Sequence, residues 1–237
     1  MTLSTTLPIP AAFYRGYQLG NGINDWVANP EGSSQFIPRK TLYGSRANIQ
    51  VVGQNSYTRI SVNAFTFGQH STPKQLHDWW AQLLENIWVT DPNPLSDQDR
   101  NLVFIADRNN DVYELTSGLT SGDQDLPFSD TTGLAVGDVI LLVQNNVVTD
   151  VASDAMVITE IDGLNVTASN IRIGGGGVVY DYTLGTFDLY LAEAAWRDVA
   201  LESAPNLGLA DDASLGNFRK SIPFSFITNQ DRFPTVS

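Results

Sequence analysis

Residues 126–182 read LPFSDTTGLAVGDVILLVQNNVVTDVASDAMVITEIDGLNVTASNIRIGGGGVVYDY. This stretch contains four short apolar runs in which β-branched and aromatic residues predominate, as is typical of β-strands. Glycine, asparagine and aspartate fill the gaps between the runs and favour turns. The stretch therefore predicts a β-rich module, and none of its residues forms a catalytic motif. The runs are 139–143, 156–161, 164–168 and 178–182, and the gaps are 144–146, 162–163 and 174–177.

Strand patterns continue on both sides of this stretch. Two apolar or alternating runs, 47–52 and 57–62, enclose the turn-forming residues Gly53-Gln54-Asn55-Ser56, which predicts a β-hairpin with a four-residue loop. Residues 221–227 are apolar enough for a closing strand, in which Pro223 predicts an edge position or the strand start. The patterns together predict a mainly β protein, built as a β-sandwich or barrel.

One amphipathic helix is predicted at about residues 73–88. Thr72 stands at the N-cap, Pro73 at the first helical position and Gln75 at the third, which together form a capping box. Asp91-Pro92-Asn93-Pro94 then prevents the helix from continuing. The apolar residues recur at three- and four-residue steps, which favours core packing over a ligand groove. These core helix residues are Leu76, Trp79, Trp80, Leu83, Leu84 and Ile87.

The patterns divide the chain into three parts. Residues 1–38 are rich in proline and aromatic residues without a helical or alternating period, which predicts an extended N-terminal arm. Residues 39–117 together with 186–237 form the predicted sandwich with its helix, and 118–185 form the inserted β-rich module. The arm packs either on a neighbouring subunit or over its own domain. Its candidate subunit-interface residues are Phe13, Tyr14, Tyr17, Trp26 and Phe36.

The composition argues against several classes of function. The chain has 237 residues and a net charge of −13, with Arg39-Lys40 and Arg219-Lys220 as its densest basic pairs. Nucleic-acid binding needs clustered Lys and Arg, and so does adsorption to an anionic membrane. We therefore expect neither nucleic-acid binding nor membrane adsorption. An alternative interpretation of the acidity is that it serves only solubility. Charged residues make up only 16%, against roughly 25% in typical domains, which favours a surface partly covered by partner subunits.

Sites for catalysis, metals and cofactors are not predicted. Cysteine is absent, and His70 and His77 lack a third ligand at metal spacing. Asp107-x-Asn109-x-Asp111 is similar to the first ligands of an EF-hand, but Val112 replaces the turn glycine, so a hairpin turn is the better interpretation and a weak surface calcium site the alternative. No run approaches the ~18 apolar residues of a membrane span, and no signal peptide is evident. We expect a non-enzymatic protein made in the cytoplasm.

The segment 130–140, DTTGLAVGDVI, resembles a phrase that is common in tailed-bacteriophage virion proteins, where it leads into a small β-barrel or β-sandwich. In that comparison Gly133 and Gly137 would serve tight turns, and Asp138 the start of the next strand. The layout of the chain is most similar to tail tube proteins, with a β-sandwich, one flanking helix and long arms. The resemblance implies a virion location and a homo-oligomer of hexameric rings, stacked into a tube.

In such a tube the partners are further copies of the chain and other virion proteins. DNA passes through without specific binding, because a negative lumen repels phosphates. Deleting residues 1–30 would then abolish assembly and leave the helix-containing domain folded. The alternative from another class is a capsid decoration (cement) protein or a tail-tip module that binds a surface or a glycan.

Overall fold

A computed structural model describes residues 9–39, 48–66, 73–88, 100–107, 113–144, 153–172, 174–202, 220–230 and 232–233. This part of the chain forms one α-helix, α1, which spans Pro73–Trp88. Its strands are β1 (Ala11–Tyr14), β2 (Tyr17–Gln18), β3 (Gly22–Arg39), β4 (Asn48–Thr66), β5 (Leu102–Ile105), β6 (Asp125–Pro127), β7 (Val139–Gln144), β8 (Ser153–Asp162), β9 (Asn165–Asn170), β10 (Phe187–Trp196), β11 (Ala200–Leu201) and β12 (Lys220–Thr228).

The strands form two antiparallel sheets. One sheet has eight strands in the order β2-β1-β5-β10-β7-β8-β9-β6, and the other has four in the order β11-β12-β4-β3. The prediction of a mainly β protein with a single flanking helix is confirmed. Residues 192–201, whose pattern fits either a short helix or an irregular strand, complete β10 and contribute β11. A bulge between Ala192 and Ala194 interrupts the pairing of β10 with β5.

The middle of the eight-stranded sheet is buried on both faces, as β5 and β7 show. Along β7, Ile140 and Leu142 belong to one core cluster, whereas Val139, Leu141 and Val143 belong to another. This alternation is what a strand with a side-chain period of two requires when both faces are covered. The half of the sheet made by β1, β5 and the end of β10 faces the four-stranded sheet instead, and the cluster between them includes side chains of both sheets.

The helix lies where the sequence placed it, because its start and end signals are local. Trp80 is fully buried, and its ring centroid lies 6.1 Å from that of Phe224 on β12. Leu83 and Ile87 are buried in the same cluster, against which Trp79 and Leu84 pack while partly exposed. These five positions confirm the predicted stripe. The side chain of Leu76 lies outside the described part of the structure.

The predicted hairpin around residues 53–56 is wrong. These residues lie inside β4, a continuous strand of 19 residues that pairs along its length with β3. Gly53 lies opposite Gln35, and Val52 is the extra residue at a bulge next to it. The local turn composition is therefore overridden by pairing with a partner strand, which absorbs the irregularity as a bulge.

The N-terminal region is not a separate arm over its described part, residues 9–39. β1 is inserted between β2 and β5, and all four of its residues are buried. β3 forms one edge of the other sheet. The prediction failed because β1 has its partner about ninety residues further along the chain, at β5, so no local period marks it. Residues 1–8 lie outside the described part.

Strands β6 to β9 lie within the predicted module, residues 118–185, and surround a core cluster that contains Phe128, Met156 and Tyr182. Asp154 is buried among them. It accepts hydrogen bonds from Asn170 Nδ2 at 2.6 Å, the Tyr182 hydroxyl at 2.9 Å and the backbone N–H of Val179 at 2.9 Å. A buried carboxyl group thus joins β8, β9 and the segment that precedes β10.

Candidate assembly surface

The two sheets have four edge strands, of which three are short and one is long. β2, β6 and β11 have two, three and two residues, whereas β3 has 18. Short edge strands protect a sheet from pairing with other chains, and a long edge presents a row of N–H and C=O groups. The outer side of β3 is bonded near its start, where Ile23 N–H donates to Pro10 C=O at 2.9 Å. Among the described edge strands, β3 is therefore the longest one that could accept another strand.

The far halves of β3 and β4 form a two-stranded ribbon. β12 pairs with β4 from Thr58 to Thr66, and beyond Thr58 only β3 pairs with it in the described structure. Nine residue pairs continue the ladder, from Glu31↔Tyr57 to Arg39↔Asn48. At about 3.3 Å per residue the ribbon extends roughly 30 Å past the four-stranded sheet.

The ribbon is also unusually poor in charge. Between residues 32–39 and 48–56 the only charged residue is Arg39. Natural edge strands that face water commonly carry Lys or other charges, which discourage pairing with foreign strands. Proline is present instead, at Pro30 and Pro38 in β3. It fits an edge strand, since proline lacks the N–H that a central strand would use on both sides.

An ionic cluster lies at the base of the ribbon. The Arg59 guanidinium is 3.2 Å from the Glu31 carboxylate on β3 and 2.7 Å from that of Glu202, which follows β11. Glu202 also accepts a 2.6 Å hydrogen bond from the Ser225 hydroxyl on β12. The cluster ties β3 and β4 to the two strands on their other side. It therefore fixes the direction in which the ribbon leaves the sheet.

The cluster shifts the pKa values of Glu202 and Tyr57. The hydrogen bond from Ser225 lowers the pKa of Glu202 below its ordinary value, and Arg59 acts in the same direction against partial desolvation. The hydrogen bond to Glu31 raises the pKa of the Tyr57 hydroxyl. The side chains of Arg59 and Glu31 are about one third exposed, at 36% and 34%, so salt in the solvent screens the interaction.

The predicted interface residues do not come together on one surface. Phe13 and Tyr14 are buried inside the chain, so neither can contact a neighbouring subunit. The Tyr14 hydroxyl donates to Val199 C=O at 2.9 Å. Tyr17 is partly buried against the same core, and the subunit contact proposed for it stays a prediction. The side chain of Phe36 lies outside the described part, although its backbone belongs to the ribbon.

Trp26 is the interface candidate that keeps an open side. Its ring stacks on Phe104 with centroids 4.5 Å apart, and it also lines a surface cleft next to the β3 edge. Its strand neighbour Val27 is 49% exposed. Sequence reasoning singled out Trp26 for its residue type alone and missed the ribbon, because the pairing of residues 31–39 with 48–57 is invisible to a search for local turns.

The sequence matches no known family model and no curated protein. Among the described residues, no helix is both long enough and apolar enough to cross a membrane. In the same part of the chain, no three His, Asp or Glu side chains are grouped as metal ligands would be. The side chains of His70 and His77 and residues 108–112 of the calcium-like motif lie outside it. Within the described residues, the long β3 edge and the ribbon are the features that indicate a function.

Proposed function

We propose that this chain is a non-enzymatic structural subunit that assembles with copies of itself through the β3 edge and the β3–β4 ribbon. The observation that carries the proposal is the ribbon, whose nine residue pairs extend beyond β12, the last described strand that pairs with β4 on its other side. An isolated two-stranded hairpin is marginally stable in water, whereas a third strand or a packing surface stabilises it. A neighbouring subunit supplies that support when the protein assembles.

The outward hydrogen-bonding groups of β3 support the same proposal. A strand of a second subunit that adds to β3 would satisfy its outward N–H and C=O groups and continue the four-stranded sheet. The other three described edge strands have only two or three residues and offer fewer groups for such pairing. One long acceptor edge and one projecting ribbon per subunit are two different surfaces. Contacts between different surfaces generate closed rings or open filaments.

The form of assembly that agrees with the sequence resemblance is a stack of hexameric rings, which forms a phage tail tube that conducts DNA. The net charge of −13 per chain suits a conduit for nucleic acid, because repulsion of phosphates prevents adhesion. The subunit would then reside in the virion and contact other virion proteins. The alternative assembly is a small closed oligomer on a capsid or tail tip.

The test is a variant with a shortened ribbon, in which Asn-Gly replaces residues 34–54 and joins Ser33 to Asn55, which lie opposite each other in the ladder. The variant keeps the Arg59 cluster and both sheets. Electron microscopy and sedimentation should show rings or tubes for the wild type and monomers for the variant. A monomeric wild type at high concentration would refute self-assembly, and a closed trimer would favour the decoration protein.

A further inference from the structure

The backbone groups of β3 alternate between facing β4 and facing outward, as in any antiparallel ladder. Ile23 N–H faces outward, since it donates to Pro10 C=O at 2.9 Å. Asn24 is the extra residue of a bulge between Ile23 and Asp25, so Asp25 bonds to β4 and the alternation continues from there. The second bulge has its extra residue on β4 and leaves the alternation along β3 unchanged. The even-numbered residues of 26–38 therefore face outward.

Both prolines of the strand occupy outward positions. Pro30 and Pro38 have no N–H, so they cost the ladder with β4 nothing, but they interrupt any ladder on the outer side. Between them Gly32, Ser34 and Phe36 each present one N–H and one C=O outward. The outer edge of the ribbon thus offers a window of three bonding residues, which a proline closes at each end.

The window is symmetric about Ser34, because Pro30 precedes it by four residues and Pro38 follows it by four. In an antiparallel pair of identical strands centred here, Ser34 lies opposite its own copy and Gly32 opposite Phe36. All donors and acceptors of the window are then satisfied, in about six hydrogen bonds. Each proline lies opposite the other proline, outside the bonded region. Any shift of the register brings a proline into the bonded region and removes hydrogen bonds.

We propose that two copies of this chain pair through β3 itself, in antiparallel orientation and centred on Ser34; this rests on the assembly proposed above and names its partner strand and register. The contact joins two ribbons into one four-stranded sheet of order β4-β3-β3-β4. Such a sheet is stable where a two-stranded ribbon is marginal. Because the contact is two-fold symmetric, rings or tubes require a further contact between different surfaces of the subunit.

The distribution of charge permits this contact between two acidic chains. Each copy carries a net charge of −13, and like charges placed opposite each other would oppose pairing. The window, residues 32–36, contains no charged residue. The nearest acidic residue of β3 is Glu31, whose carboxylate already accepts hydrogen bonds from Tyr57 and Arg59. In the centred register Glu31 lies opposite Ile37, so it meets no second acidic side chain.

Single cysteines test the register, because the chain has no cysteine of its own. The Cα atoms of a directly opposite, hydrogen-bonded pair lie about 5.5 Å apart, within the roughly 4.4–6.8 Å that a disulfide spans. Ser34→Cys should therefore form disulfide-linked dimers under mild oxidation, which non-reducing electrophoresis detects.

Ser33→Cys and Gln35→Cys are the matched controls. Residue 33 lies opposite residue 35 in the centred register, so two copies of either variant bring their cysteines only to diagonal positions, about 7–8 Å apart. Each control alone should cross-link poorly. An equimolar mixture of the two should cross-link well, with one chain of each variant in every dimer, because the Cα atoms of this opposite pair lie about 4.5 Å apart.

A proline at the centre of the window tests the hydrogen bonds themselves. Ser34→Pro removes the N–H of both copies at the two-fold axis and should weaken association at least tenfold in sedimentation. Ser34→Thr keeps the N–H and should associate like the wild type. Near-UV circular dichroism should show a native spectrum for both variants, since neither changes the bonds between β3 and β4.

The outcomes separate this register from self-assembly as such. If the wild type assembles but Ser34→Cys links no better than Ser33→Cys, the two-fold register is refuted and self-assembly stands. Wild-type association of Ser34→Pro would refute pairing through the outer side of β3. A wild type that stays monomeric at high concentration would refute the proposed function, and the two-fold contact with it.

Discussion

Tyr57 and Glu31 face each other across the β3–β4 ladder, and the Tyr57 hydroxyl donates a 2.8 Å hydrogen bond to the Glu31 carboxylate. This is the first residue pair beyond the support of β12. Arg59 bonds the same carboxylate and extends the contact to Glu202. The ribbon therefore begins at a cluster of side chains that holds it to the sheet, and it gains its direction from that cluster before any partner is present.

Acid should weaken this cluster. The folded pKa of Glu202 is lowered, so its contribution to stability is present above the ordinary glutamate pKa of 4.5 and is lost as the pH falls through the folded value. We expect Glu202→Gln to unfold at a lower temperature than the wild type at neutral pH, with the gap closing as the pH falls below 4.5 and through the folded pKa of Glu202. Thermal unfolding followed by circular dichroism across this pH range measures the gap.

Glu160→Gln is the control for this experiment, because Glu160 is an exposed glutamate on β8 outside the cluster. Its unfolding temperature should track that of the wild type at every pH. High salt should also narrow the gap for Glu202→Gln, since exposed charges are screened. A gap that persists unchanged at low pH would show that the carboxylate charge of Glu202 does not stabilise the fold.

Two adjacent tryptophans of α1 should differ in their contribution to stability. Trp80 is fully buried against Phe224, whereas Trp79 is only partly buried. Trp80→Ala leaves a cavity in the core and should lower the free energy of unfolding by about 3–5 kcal/mol. Trp79→Ala should lower the free energy of unfolding by clearly less than Trp80→Ala does. Urea unfolding of the two variants compares them directly, and equal losses would contradict the burial of Trp80 in the core.

The buried carboxyl of Asp154 should stabilise the module. Asp154→Ala would leave the side-chain donors of Asn170 and Tyr182 and the N–H of Val179 without this acceptor, which should cost about 3 kcal/mol or more. Asp181→Ala is the matched control, since Asp181 is exposed and should cost about 1 kcal/mol or less. A wild-type free energy of unfolding in Asp154→Ala would refute this role.

The sequence predicted well those helices and strands whose start and end signals are local. α1 is bounded by Pro73 and Trp88, as its capping box and apolar stripe predicted. Three strands of the module also lie near predicted runs, since each is bounded by turn residues. The fourth predicted run, 178–182, forms no strand and makes only a single bridge, from Tyr182 to Leu119. Pro223 lies on β12 where β11 does not reach, which agrees with the predicted edge position.

The features that the sequence failed to predict depend on residues that are far apart in the chain. Gly53 and Asn55 have the composition of a turn, yet they pair with Gln35 and Ser33 across the ladder. Likewise Arg232 lies over the ring of Trp26, although about two hundred residues separate them in the sequence. No local period links such positions, so only the folded chain shows that they are neighbours.

Two glycines that precede β10, Gly177 and Gly185, differ in how closely they are packed. Gly177 has no room for a Cβ atom, which would meet the carbonyl oxygens of Gly122 and Asp123. Gly177→Ala should therefore destabilise the module by about 2 kcal/mol or more through overpacking. Gly185→Ala is the comparison, because Gly185 has a positive φ of 80° but open space around it, and should cost only about 1 kcal/mol. Equal unfolding free energies of the two variants would contradict the close contact.

Deletion of the N-terminus and shortening of the ribbon should have opposite effects on folding. Residues 1–30 include β1, whose alanines Ala11 and Ala12 are fully buried, and the first half of β3. Their removal exposes both sheets, so we expect an unfolded or aggregated chain, in place of the folded but assembly-deficient domain that an independent arm would predict. The shortened ribbon removes only residue pairs that lie beyond β12, so that variant should remain folded. Near-UV circular dichroism reports the packing of the tryptophans in each variant.

A native spectrum after deletion of residues 1–30 would show that β1 is dispensable. Loss of the native spectrum in the ribbon variant would show that the ribbon stabilises the subunit itself rather than its assembly.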